Sequence, residues 1–158
     1  ILSYNRVVQD LAGKTPDAFL ATLSAAVRVR PGRAEPSQSG EVSMYLGGRW
    51  YVIDLPAPPA GARPADCLDA EVLHQTVLSP LLGVGDPRTD KRIDFVGGSR
   101  GTDELERRVA DGRAAVAFSM APVSVADLMA IADSGGIMPP KSTWFEPKLR
   151  DGLLVHLI

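Results

Sequence analysis

Apolar positions recur along this chain with two different periods, and each change of period marks a new element. Phe19, Leu20, Leu23 and Val27 fall three or four residues apart on one helical face. Thr15, Pro16 and Asp17 precede them, supplying an N-cap, a proline for the first turn and an acid at the positive end of the helix dipole. A helix is therefore predicted to start at Thr15. Glu41 to Leu46 and Arg49 to Leu55 are rich in strand-forming residues, and Gly47-Gly48 between them can adopt the positive φ angles of a tight turn. This is the clearest hairpin in the chain.

Weaker signals fill the rest. Tyr4 to Val8 reads as a short strand with mixed faces, and Arg28 to Arg30 leads into a loop from Pro31 to Gly40. After a second loop, Pro56 to Pro64, a helix is predicted from Asp69 to Ser79. Val72, Leu73, Thr76 and Val77 face its core side, His74 borders them, and Pro80 and Gly83 end it. Asp86 to Arg92 is a polar connection to a strand at Ile93 to Val96. A helix at Asp103 to Ala110 and a strand at Ala114 to Ser119 follow. Ser124 and Asp127 have capping-box spacing ahead of a helix carrying Leu128, Met129 and Ile131. Gly152 to Ile158 reads as a last strand. Strands and helices interleave, yet one adjacent pair is a hairpin. The expected class is α+β: a mixed or antiparallel sheet with a β-hairpin and three to four helices packed in layers on one side.

Composition narrows the function more than the fold. At 158 residues the chain fits a single domain with one core. A formal net charge of -2 gives no general attraction to nucleic acid or to an anionic membrane, so neither partner is expected. Cys67 is the only cysteine, which rules out an intrachain disulfide and fits a reducing, cytoplasmic setting. No apolar run is long enough to span a bilayer. Two histidines without paired ligand spacing argue against zinc, and no nucleophile elbow marks a catalytic triad. Oligomeric state and any cofactor are not legible.

Two stretches stand out, the second of them without any explanation in periodicity. Ile93-Asp94-Phe95-Val96-Gly97-Gly98 joins a strand to a glycine pair, and Gly135 to Leu149 packs three prolines, Lys141-Ser142-Thr143 and Trp144-Phe145 into one segment. Together they closely resemble the C-terminal part of a family of conserved bacterial proteins catalogued as domain of unknown function 1015. The family has no settled activity. Its members carry a longer upstream region with a Gly-His-His-Arg-type motif similar to the ParB and sulfiredoxin group, which this chain lacks. The resemblance implies a C-terminal fragment of a longer protein. It also implies an accessory domain for a nucleotide or other phosphorylated small molecule, with phosphoryl transfer as the reaction. A structural or protein-interaction domain is the alternative, for which one of Trp50 and Tyr51 is expected to face away from the core.

Lys141, Ser142 and Thr143 are the leading ligand-binding candidates, because an ammonium and two hydroxyls on a proline-stiffened loop can serve a phosphate or carboxylate. Glu146 and Lys148 extend that polar rim. The same loop also reads as a stapled connection, with the aromatic pair entering the core. Gly97 to Gly101 looks like a phosphate cradle, but Thr102, Asp103 and Glu104 already cap the following helix and oppose an anion; Arg100 can still reach one. Asp94 alternates away from Ile93 and Phe95, as a solvated residue, an arginine partner or a functional acid. Asn5 and Arg6 are a second source of polar donors. His74 reads as a hydrogen-bonded boundary residue.

Overall fold

The computed structural model describes residues 1–147. Six strands form one antiparallel sheet: β1 (Tyr4–Val8), β2 (Arg28–Pro31), β3 (Glu41–Leu46), β4 (Arg49–Asp54), β5 (Ile93–Gly97) and β6 (Val116–Met120), in the order β2-β4-β3-β6-β1-β5. The hairpin forms as its glycines require, with Gly47 and Gly48 at φ +56 and +80. Arg28–Pro31 extends the sheet at one edge rather than leading directly into a loop, pairing with β4 from Arg28↔Asp54 to Pro31↔Tyr51. A proline is tolerated there because an edge strand has one side free of ladder bonds.

Helices cover both faces of the sheet, not one. On the first face, α1 (Pro16–Ala26) is capped by the Thr15 hydroxyl and buries Phe19 and Leu23. It packs beside a continuous helical stretch made of α2 (Asp69–Leu73), one wide π turn (His74–Leu78) and α3 (Ser79–Leu82). Val8, Val42, Met44, Ile53 and Phe118 of the sheet meet Leu73, Val77 and Leu82 of the helices in the main core. On the opposite face α4 (Asp103–Ala110) brings Leu105 onto Val7, Val96 and Ala117. Trp50 and Tyr51 therefore both find cover. Trp50 packs toward α4, with its indole N–H donating to Glu106 Oε1 at 2.6 Å, while Tyr51 joins the main core.

Pro80 does not end its helix. It sits in the first turn of α3, and the chain continues to Gly83, whose left-handed backbone closes the helix at φ +65. The preceding wide turn, in which the Ser79 N–H donates to the His74 carbonyl, loosens the backbone where a proline ring would otherwise clash. α5 (Val125–Asp133) begins with the expected capping box between Ser124 and Asp127. Thr102 precedes α4 without a side-chain cap. Gly152 to Ile158 and Lys148 lie outside the described residues. Among the described residues, no helix is long and apolar enough to cross a membrane.

Candidate functional site

Strand alternation places Tyr4, Arg6 and Val8 on the main-core face, opposite Gly97, Phe95 and Ile93 of β5. Arg6 is thus a cation inside a sheet, only 5% exposed, lying 5.7 Å from the Phe95 ring centroid. Its guanidinium donates to two backbone carbonyls, Tyr4 O at 2.7 Å and Lys141 O at 3.3 Å. Among the described residues it makes no salt bridge. Burial lowers its pKa to about 10, with the Glu71 carboxylate working in the opposite direction.

Arg6 lines a cleft of about 410 Å³ between the α2 helical stretch and the Ile137–Pro140 segment. Glu71 and His74 project from the helix, Asp86 and Arg88 come from the polar connection, and Ile137 to Pro140 form an apolar wall. Asp86 accepts from both the side chain and the backbone N–H of Arg88, which hold its pKa down to about 2; His74 adds a smaller effect in the same direction. Glu71 Oε1 accepts from the Gln75 amide at 2.8 Å. Inside the cleft wall, His74 Nδ1 is buried and has no hydrogen-bond partner among the described residues. A volume of this order suits a small molecule. Arg6 also borders a second cavity of about 50 Å³, shared with Ser142, Asp69 and Asp127.

The predicted loop folds over this end of β1. Leu2 and Trp144 form a backbone bridge, with Leu2 N donating to Trp144 O at 2.8 Å. The Trp144 indole stands edge-on to Tyr4 and fills the space above Gly97, where a Cβ would lie 2.7 Å from the ring. Gly98 N donates to Ser3 O at 2.9 Å, and a Cβ there would meet the same oxygen at 2.8 Å. The glycine pair is therefore a seat for Trp144 and Ser3, and its amides do not form a phosphate cradle.

The candidate residues divide among three places. Arg6, Lys141 and Ser142 come together, but differently from a simple donor cluster. Ser142 is buried with its hydroxyl donating to Pro139 O at 2.8 Å, and the exposed Lys141 carries its ammonium over the Tyr4 ring at 5.7 Å. Lys141 contributes its carbonyl to Arg6, in a left-handed conformation with φ +57. Thr143 is half-buried between Ser142 and Trp144. Asn5 faces the other side of the sheet, where Oδ1 accepts from Met120 N at 3.0 Å. It lines a separate cleft of about 220 Å³ with Ser3, Glu35 and Ser119. Asp94 is exposed on the α4 side and pairs with Arg108 at 2.5 Å. Arg100 is exposed there too, beside Asp103, Glu104 and Arg107.

Glu71 and Arg88 escaped the reading of the sequence, and His74, expected there to be hydrogen-bonded, has no partner for Nδ1 among the described residues. Their signal was faint: a histidine against an apolar helix face, and a polar connection whose position relative to β1 depends on the fold. Among the described residues, no group of three or more His, Cys, Asp and Glu could hold a metal ion.

No curated protein and no solved structure matches this chain. Residues 1–75, which carry Arg6, Glu71 and His74, match the model of a family described as a protein of unknown function, DUF1015, and the chain is similar to that family over this segment.

Proposed function

We propose that this chain binds an anionic or phosphorylated small molecule in the Arg6–His74 cleft. It would act as an accessory domain to a ParB-like region of the kind the family resemblance implies, with phosphoryl transfer as the reaction it serves. The observation that supports this is the state of Arg6. A guanidinium with almost no exposure, held by carbonyls and with no carboxylate in contact among the described residues, carries a desolvation cost that Glu71 offsets only in part. A ligand anion entering the cleft would supply a countercharge in direct contact, through strong, charge-assisted hydrogen bonds.

Thermal unfolding of the full chain with inorganic phosphate, nucleotides and simple carboxylates tests the proposal. A ligand at about a hundred times its Kd adds roughly 2.7 kcal/mol to the folded state. The expected result is a rise in Tm with at least one anion, lost in Arg6→Met. No rise with any of them would sink the proposal.

An interaction domain is the second reading, and one observation favours it. Val125 and Met129 on α5 are 60% and 59% exposed, and nearby in sequence Ile137 is 88% and Phe145 48% exposed. Apolar side chains left in water to this extent suit a partner surface.

A further inference from the structure

We infer that the ligand of this cleft is a small zwitterion, a molecule carrying a carboxylate and an ammonium a few bonds apart, as an α-amino acid does. This rests on the cleft being an anion site and adds what its charge pattern selects. The lining holds two guanidiniums, Arg6 and Arg88, and two carboxylates, Glu71 and Asp86. Arg88 and Asp86 are joined in an exposed ion pair at 2.7 Å and neutralise each other at the rim. Arg6 and Glu71 remain. They line the same cleft and influence one another electrostatically, yet they form no ion pair. Arg6 is occupied by backbone carbonyls and Glu71 by the uncharged Gln75 amide.

Two opposite charges that line one cleft without pairing present a dipole to whatever enters it. A polyphosphate placed there gains Arg6 but also meets Glu71, so like-charge repulsion offsets part of the attraction. A lone amine meets the converse problem at Arg6. A zwitterion inserted head to tail answers both charges and leaves neither one buried and unpaired. His74 lines the same wall, and its buried Nδ1 has no hydrogen-bond partner among the described residues. Leu78 and the Ile137 to Pro140 segment offer an apolar surface to the remainder of such a molecule.

The test is calorimetric titration of the full chain with each of the common α-amino acids. For any that bind, the same molecule without its amino group and the same molecule without its carboxylate follow, with inorganic phosphate as a further arm. We expect an amino acid to bind at least about tenfold more tightly than its des-amino carboxylate, the scale of one charge-assisted hydrogen bond. Glu71→Gln should erase that preference while leaving the carboxylate's affinity within about threefold, and Arg6→Lys should weaken both. Thermal unfolding of each variant shows that it is folded. If the carboxylate or phosphate binds as tightly as any amino acid and Glu71→Gln changes nothing, the zwitterion is overturned and the anion site stands. If no probe binds, both are overturned.

Discussion

Gly97 and Trp144 are forty-seven positions apart in the chain and act as one structural unit. With a Cβ at Gly97 falling 2.7 Å from the indole, Gly97→Ala must displace the ring or bend β5. Overpacking of this kind costs about 1–3 kcal/mol. Urea denaturation should show that loss, together with a shift in tryptophan emission; a change under about 0.5 kcal/mol would mean that the loop does not rest on the strand. Glu41 offers a second test at this scale. Hydrogen bonds from the Ser37 side chain and backbone, then from Arg30, hold its pKa at about 2 against an ordinary 4.5. A carboxyl with a depressed folded-state pKa contributes stability that is complete above about pH 4.5 and lost as pH falls toward 2. Stability measured across that window should fall with acid in the native protein and fall less steeply in Glu41→Gln. Arg6 has the opposite sign: burial holds its folded-state pKa below the ordinary arginine value, so its charge opposes folding at neutral pH. Arg6→Met should then be no less stable than the native protein without ligand, measured by Tm at pH 7, while losing any ligand-induced rise. A large drop in Tm would assign Arg6 a structural role.

At the scale of elements, local chemistry accounts for most beginnings and for few interruptions. Ser124 donates to and accepts from the first turn of α5 in a complete capping box. Ser124→Ala should cost about 1 kcal/mol, read from the denaturation midpoint, and nothing in the Arg6 cleft should change with it. The wide turn at His74–Leu78 is different in kind. It follows α2 directly and lets Pro80 ride inside a helix that the proline would be expected to stop. It also places His74 at the start of the widened turn, facing the cleft. Wide turns of this kind are frequent at functional sites, and here one begins at the residue whose Nδ1 lacks a partner among the described residues.

For the whole molecule, residue periodicity alone determined the hairpin, the helix starts at Thr15 and Ser124, the extent of Asp103–Ala110 and the α+β class. Each of these depends on neighbours within a few positions: a cap, a glycine turn or an alternating face. Those local rules gave Tyr4 to Val8 only as a short strand with mixed faces, on which Arg6 shares a face with Tyr4 and Val8. They could not show that β1 lies inside the sheet between β6 and β5, where that face is buried. Nor could they show that α4 covers the opposite face, because one amphipathic helix suits either side of a sheet equally well. That covering is why Trp50 and Tyr51 are both sheltered and why Asp94 meets Arg108. The candidate cleft is almost entirely a tertiary product. It joins Arg6, a helix at Glu71 and His74, and the Ile137 to Pro140 segment, and no local pattern relates positions so far apart. Burial turned Arg6 from one polar donor among several into a cation with no carboxylate in contact among the described residues, and burial is decided only when the chain closes over it.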